Sequence, residues 1–427
     1  MINENFLHYI WNYKLLNTNT LYLTNGEKLE IISFGEYNRY AGPDFISARL
    51  IIGQQQWAGN VEMHTRSSLW YAHGHEKDPN YGNIILHVVW EHDIEIFDIQ
   101  GNIIPTLELK NYISEEIFLN YQKLFNKNKK FIQCEEGLQL IDKQLISNWI
   151  EDLYWERLEE KYSLILKMLK ETENDWEYVF FLLILKNFGG NINGEHFLEM
   201  GKQIPFSVIR KELHFPERLE ALFFGQLQLL KNENTDLYYL SLQKEYQYLT
   251  HKYQLKEGFG MAQFTKLRPA NFPTIRISQL AILYSQQKSL FSKCLKINAF
   301  SELLSVLSSV TTTEYWQNHY TFGKESRAIT KKISLLVSQN IWINTIIPIQ
   351  FAYSKFLGKD IKKEIIQKMQ SIEPEQNSIL DQWKKVGITA KNALESQALL
   401  QLYKKYCSDL ECLRCKIGIN LLKKQSF

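Results

Sequence analysis

"AGPDFISARLIIGQQQWAGNVEMH", residues 41–64, is the stretch on which the fold turns. Two runs of alternating apolar residues flank Gly53-Gln54, and a period of two marks strands. "DFISARLIIG" and "QWAGNVEMH" therefore read as a β-hairpin. On the second strand Trp57, Gly59, Val61 and Met63 point one way, while Ala58, Asn60, Glu62 and His64 point the other. With Gly53-Gln54 at the centre, residues whose numbers sum to about 107 face one another. Asp44 then falls opposite Met63, beside Glu62 and His64. Two carboxylates converging there make a hard-oxygen site suited to Mg²⁺ or Mn²⁺.

The flanking sequence continues the mixed pattern. "ENFLHYIWNYKLL" is an amphipathic helix with Phe6, Ile10 and Tyr13 on one side. "LYLTNGEKLEII" is a second hairpin, around Asn25-Gly26. "NIILHVVW" is a dense β-branched strand, and "IEIFDIQGNIIPTLEL" reads as two strands around Gly101. Beyond about residue 130 the period becomes helical. The run from Leu145 to Gly189 is long, charged and helical. Similar patterns recur at 216–230, 235–255, 276–290, 328–341, 345–357, 376–385 and 390–406. Pro205, Pro216, Pro269, Pro273 and Pro374 punctuate them. No repeat of fixed length is present, which excludes a regular solenoid. The expected fold is α+β: an N-terminal mixed α/β domain over residues 1–125, then a large irregular all-α domain over 131–427, with a candidate subdivision near 260–275.

Composition narrows the function classes. The chain has 427 residues, 45% hydrophobic and 22% charged, enough to bury a large core and too apolar for disorder. Residues 1–130 hold 11 Lys/Arg against 15 Asp/Glu, and the remainder 38 against 32. An acidic front and a basic back suit a cation site beside a surface that holds a polyanion such as nucleic acid. No apolar run reaches the roughly 18 residues of a membrane span. The N-terminus lacks the features of a signal peptide, so the expected location is cytoplasmic. Five cysteines do not suggest a disulfide framework. There is no GxxxxGK[ST] or GxGxxG, which argues against a nucleotide cofactor. Nothing in the sequence names a protein partner.

Five of the ten histidines fall between residues 64 and 92. In "HGHEKD", His73 and His75 lie on one side of an extended chain, within reach of one metal, and Asp78 adds a carboxylate. His87, inside "ILHVVW", is either a core histidine or part of this group. Glu108-x-Lys110 reads as a surface alternation.

The order helix, three strands, connecting segment, strand over residues 3–92, with Pro43-Asp44 leading one strand and Glu62-x-His64 on the next, resembles the PD-(D/E)xK phosphodiesterase superfamily. The resemblance implies a restriction-endonuclease-like domain, with Asp44 and Glu62 as metal ligands. His64 would stand where Lys is usual and position or activate the attacking water. His73, His75 or Asp78 would assist the leaving group. The "HGH" connection is similar to nucleases of the very-short-patch-repair type, which also use histidines. "HGHEKD" also resembles the His-x-His-x-Asp-His box of metallo-β-lactamase-type hydrolases, although Asp78 is one residue late and no histidine follows it. A zinc hydrolase centred on His73, His75 and Asp78 needs a third nitrogen. Across the whole chain, "GPDF", "GNVEMH", "NIILHVVW", "RPANFPTIRISQLA" at 268–281 and "CLRCKIG" resemble an uncharacterised bacterial family, domain of unknown function 2851. That resemblance implies the two-part arrangement and no activity.

Three further features carry alternatives. In "RPANFPTIRISQLA", Pro269 and Pro273 hold an extended loop and Thr274 can cap the next helix. Arg268 and Arg276 either face a phosphate or pack the loop, tied to carboxylates. "YWQNHYTFG" at 315–323, with His319, is an aromatic cluster that reads as core packing ahead of base stacking. Cys412-x2-Cys415, with Cys407 five residues before, suggests structural Zn²⁺, with Cys294 or a distant histidine as fourth ligand. Plain burial on the apolar side of a helix is the competing reading.

The expected function is a metal-dependent phosphodiesterase, nuclease-like, acting on nucleic acid. The alternative is a non-catalytic scaffold for nucleic acid or protein that keeps a degenerate nuclease-like domain. The zinc hydrolase comes third.

Overall fold

The computed structural model describes residues 2–38, 40–125, 131–258 and 262–424. Residues 126–130, between the two expected domains, and 260–261, at the start of the candidate subdivision, lie outside these. The chain is mixed α+β, with a sheet near its N-terminus and helices after it. Contacts divide it into two units, Met1–Trp149 with Leu402–Phe427, and Ile150–Gln401. The C-terminal residues thus group with the sheet, not with the helices that precede them.

In the first unit the Asn3 side chain accepts from Phe6 N–H at 3.1 Å and starts α1 (Glu4–Asn12). Phe6, Leu7, Tyr9, Ile10 and Trp11 bury its inner side. Tyr13, expected on that side, is the C-cap and is exposed. The first hairpin pairs β1 (Leu21–Tyr22) with β2 (Lys28–Ser33). Gly26 supplies the positive φ of its turn. A short β3 (Glu36–Tyr37) precedes β4 (Phe45–Ile52), which runs antiparallel to β5 (Gln55–Arg66).

The hairpin register follows the alternation from Ile52↔Gln55 to Ala48↔Gly59, then shifts to Phe45↔Val61. The shift is a bulge, with Ser47 at φ +60°. It moves Asp44 one residue along, beside Glu62 as well as Met63.

The connection from β5 contains α2 (Leu69–Ala72) and two 3₁₀ turns, His75–Lys77 and Pro79–Tyr81. It leads to β6 (Ile84–Glu91), which is parallel to β5 and leaves His87 fully buried. Finally β7 (Thr106–Glu108) lies parallel to β6. The sheet order is β1-β2-β4-β5-β6-β7, with β3 also on β4. Of the two strands expected around Gly101, the second is β7 and the first is reduced to one bridge, Phe97↔Ile103. The Asp98 carboxylate accepts from Gln100 and Asn102 N–H groups and closes the turn locally. Ile96 and Ile104 instead pack with Trp70 of α2.

After β7, α3 (Glu115–Leu124) meets the C-terminal helix Lys416–Leu422. The Asn120 amide donates to the carbonyls of Leu422 (3.3 Å) and Lys424 (2.8 Å), which closes that helix end.

In the second unit the long helical run breaks at Glu173 and Asn174, both at positive φ. The Asp175 carboxylate then accepts from Tyr178 N–H and caps the helix Trp176–Gln203. Glu220, on the helix Pro216–Gln226, is wholly buried. It accepts from Tyr238 O–H, Thr313 O–H (3.1 Å) and Trp316 Nε1–H (2.7 Å). The unit is not all-α: His319–Thr321 and Lys324–Glu325 form a small hairpin, with Gly323 at its turn. No helix of the described residues is long and apolar enough to cross a membrane.

Candidate metal centre

Asp44 and Glu62 meet at the open end of the β4–β5 hairpin. Asp44 N–H donates to Glu62 Oε2 (3.1 Å), and Met63 N–H donates to Asp44 Oδ2 (2.9 Å). Burial, with the Asp44 charge beside it, holds the Glu62 carboxyl well above the usual carboxylate range.

The histidines supply the rest of the site. His64 follows Glu62 on the same face of β5 and is 1% exposed. His73 is the C-cap of α2, and His75 opens the next turn. Between them Gly74 sits at φ +74°, so the His-x-His segment is a sharp reversal rather than the extended chain expected. Both imidazoles swing towards β5. The ligand nitrogens of His64, His73 and His75 all lie within 4.8 Å of one another. Glu62 Oε1 is 3.4 Å from His75 Nε2 and 3.8 Å from His64 Nε2.

The imidazoles also form a row. His87 Nε2 is 2.8 Å from His64 Nδ1, and His64 Nε2 is 3.0 Å from His73 Nδ1. Burial pushes His64 down to about 3, lowers His75, and holds His87 far below the usual histidine value. Neutral imidazoles are the form that binds metals. For His64 Nε2 to offer a lone pair, its proton must sit on Nδ1 and go to His87. Tyr81 stacks on His75 at 3.8 Å between ring centres.

The family described as "Protein of unknown function (DUF2851)" matches residues 4–378. The chain belongs to this family. No curated protein and no solved structure matches it.

Sequence reasoning missed two contributors of this family member, both on α1. His8 Nε2 lies 3.1 Å from Asp44 Oδ2, yet neither His8 ring nitrogen has an aligned hydrogen-bond partner. Glu4, one turn earlier, feels the charges of His73, Asp44 and His8, although burial dominates and raises its carboxyl. The i, i+4 spacing of Glu4 and His8 was the available signal.

Other expected residues do not join the three gathered imidazoles, although Asp78 is near enough for its charge to act on His75. The Asp78 side chain accepts from Asn80 N–H and caps the turn Pro79–Tyr81. Glu108 pairs with Lys110 at 2.8 Å. Arg268 is exposed, whereas Arg276 is 5% exposed. Arg276 donates to the amide oxygens of Asn271 and Gln279, where carboxylates were expected. Without a counter-charge, burial lowers its guanidinium to about 10. Thr274 does not cap its helix. Pro273 already occupies the first turn, and the Thr274 hydroxyl goes to Tyr320 O. His319 stacks on Tyr315 at 4.0 Å beside the buried Trp316, a packing arrangement. Cys294 is buried in the second unit, on the helix Leu290–Lys296.

Proposed function

We propose that this chain is a metal-dependent hydrolase of phosphodiester bonds, with nucleic acid as its substrate class. The observation that carries the reading is the gathering of His64, His73 and His75 nitrogens within 4.8 Å, against the Glu62 carboxylate. These residues would hold a divalent cation, with Asp44 beside them. Three imidazoles favour Mn²⁺ or Zn²⁺ over Mg²⁺, which suits the carboxylate pair alone. When bound, the cation supplies Lewis acidity towards a phosphoryl oxygen and lowers the pKa of water.

The role of His64 shifts in this reading from base to ligand. It is buried, and its Nδ1 is committed to His87. The pair Asp44–His8, only partly covered, is better set to accept a proton from water. His73, exposed at the end of the imidazole row, marks the side from which substrate would reach the cation. The choice of phosphodiester rests on two supports. One is the likeness of the β4–β5–β6 pattern, with Asp44 and Glu62 at its centre, to the PD-(D/E)xK superfamily. The other is the basic balance of residues 131–427. A zinc hydrolase acting on another bond is the second reading, because His64 provides the third nitrogen that His73 and His75 required.

The test is cleavage of labelled single- and double-stranded DNA and RNA with Mg²⁺, Mn²⁺, Zn²⁺ or EDTA, beside Glu62→Ala and His64→Ala. Metal-dependent cutting lost in both variants supports the reading. Metal binding without cutting of any nucleic acid turns it towards the zinc hydrolase. Nucleic-acid binding that ignores metal turns it towards the scaffold.

A further inference from the structure

A second cluster of metal-binding residue types lies in the first unit, formed by sequence positions far apart. Cys134, Cys407, Cys412 and Cys415 line one small cavity. Cys134 opens the 3₁₀ turn Glu135–Leu140 that follows α3. Cys407 ends the helical turn Tyr403–Cys407, and Cys412 and Cys415 belong to the tight loop after it. Cys415 N–H donates back to Cys412 O at 3.3 Å, so the Cys-x-x-Cys segment is a turn that faces both thiols inward. We propose that Cys134, Cys407, Cys412 and Cys415 form a tetrathiolate site for one structural zinc ion, which fastens the C-terminal segment to the turn after α3.

Several observations support this beyond the count of sulfurs. All four cysteines are free, and all but Cys407 are buried. The Trp149 indole N–H is buried beside Cys415 and favours its thiolate form. The amides of Ile417 and Gly418 point at the same sulfur. Amide and indole N–H groups aimed at sulfur are what a metal-bound thiolate needs around it. Gly418 allows the close approach: a Cβ there would meet Cys412 O at 2.1 Å. When zinc binds, each thiol releases its proton to solvent.

The donor set selects the ion and its role. Four soft thiolates suit zinc in a tetrahedron with bonds of about 2.3 Å. With four protein ligands no position stays open for substrate, so the role is structural. The sulfurs are not drawn within the 4.8 Å that gathers the three imidazole nitrogens. Binding therefore tightens the 407–415 loop. The fourth ligand is Cys134, not Cys294.

The test uses the full chain loaded with Co²⁺ in place of zinc, because thiolate-to-cobalt charge-transfer absorption separates a sulfur site from the histidine centre. Wild type and Cys294→Ser should both show the intense charge-transfer band and tetrahedral ligand-field bands. Cys134→Ser should lose most of the charge-transfer intensity. Because Cys134→Ser can also fail by misfolding, alkylation of wild type followed residue by residue in a mass spectrometer gives a second reading. Zinc should protect the four cysteines together, and a strong chelator should release them together. Cobalt loading without sulfur bands, alkylation indifferent to zinc, or a disulfide among the four would each overturn the proposal.

Discussion

His87 Nε2 lies 2.8 Å from His64 Nδ1, at the buried end of a row of imidazoles that reaches the surface at His73. The contact fixes the ring of His64 and determines which nitrogen it turns towards Glu62. Parallel pairing creates it, because β5 sets Glu62 against His87 and His64 against Val89 in register.

Replacement of His87 should therefore act on metal binding without touching the metal. His87→Phe is expected to weaken Mn²⁺ or Zn²⁺ binding about 10–100-fold, the usual effect of losing a partner behind a ligand. His87→Gln, which keeps a hydrogen-bonding group, should lose less. Isothermal titration calorimetry on chelator-treated protein measures both. Equal affinity in wild type and His87→Phe would remove His64 from the ligand set.

The metal-free site should oppose stability on both sides of a narrow pH range. Glu62 is raised above its ordinary value of 4.5, so its contribution is full below that value and fades as pH rises. His64 is lowered from 6.5 to about 3, so its contribution is present above 6.5 and fades as pH falls towards 3. In EDTA the melting temperature should fall between pH 6 and pH 8, with Glu62 as a contributor. Mn²⁺ or Zn²⁺ should raise it more at pH 8, where releasing the Glu62 proton to solvent costs less. Glu62→Gln should flatten the EDTA curve and reduce the metal-induced rise.

Gly59 is the close-approach point between β5 and β6. A Cβ there would lie 2.5 Å from Ile85 Cγ2 and 2.7 Å from Asn83 O. Gly59→Ala should destabilise the first unit by about 1–3 kcal/mol, the usual cost of overpacking. Urea denaturation followed by tryptophan fluorescence reads the change. Metal affinity should fall as well, since the same strand pair carries Glu62, His64 and His87.

In the second unit, burial raises Glu220 to about 7 against the opposing effect of its hydrogen bonds. Its contribution to stability is full below 4.5 and is lost as pH rises through about 7. Glu220→Gln cannot ionise, so the difference in unfolding free energy between pH 6 and pH 8 should shrink, by on the order of 1 kcal/mol. Denaturant titrations of wild type and variant at the two pH values check this.

Several elements were legible because their causes are local. Alternation around Gly53-Gln54 gave the β4–β5 hairpin, and Asn25-Gly26 gave the first one. The helical period gave the long helices, though not the break at Glu173-Asn174, where no glycine or proline marks it. The bulge at Ser47 was not legible either, because a serine at φ +60° is held by its surroundings and not by preference. Of the two strands around Gly101, the second formed as β7, while the first was reduced to a bridge as Ile96 packed against Trp70.

Period-two alternation alone dictates that Asp44 heads one strand and that Glu62 and His64 share a face of the next. That sheet precedes helices is equally local, since periods of two and of 3.6 are written in neighbouring residues. What meets that strand depends on packing between distant segments. The reversal at Gly74 brings His73 and His75 to His64, parallel pairing brings His87 behind it, and packing of α1 brings His8 to Asp44. The return of the C-terminus brings Cys407, Cys412 and Cys415 to Cys134. These meetings depend on which apolar faces bury one another and which loops close, and no local pattern specifies a partner distant along the chain.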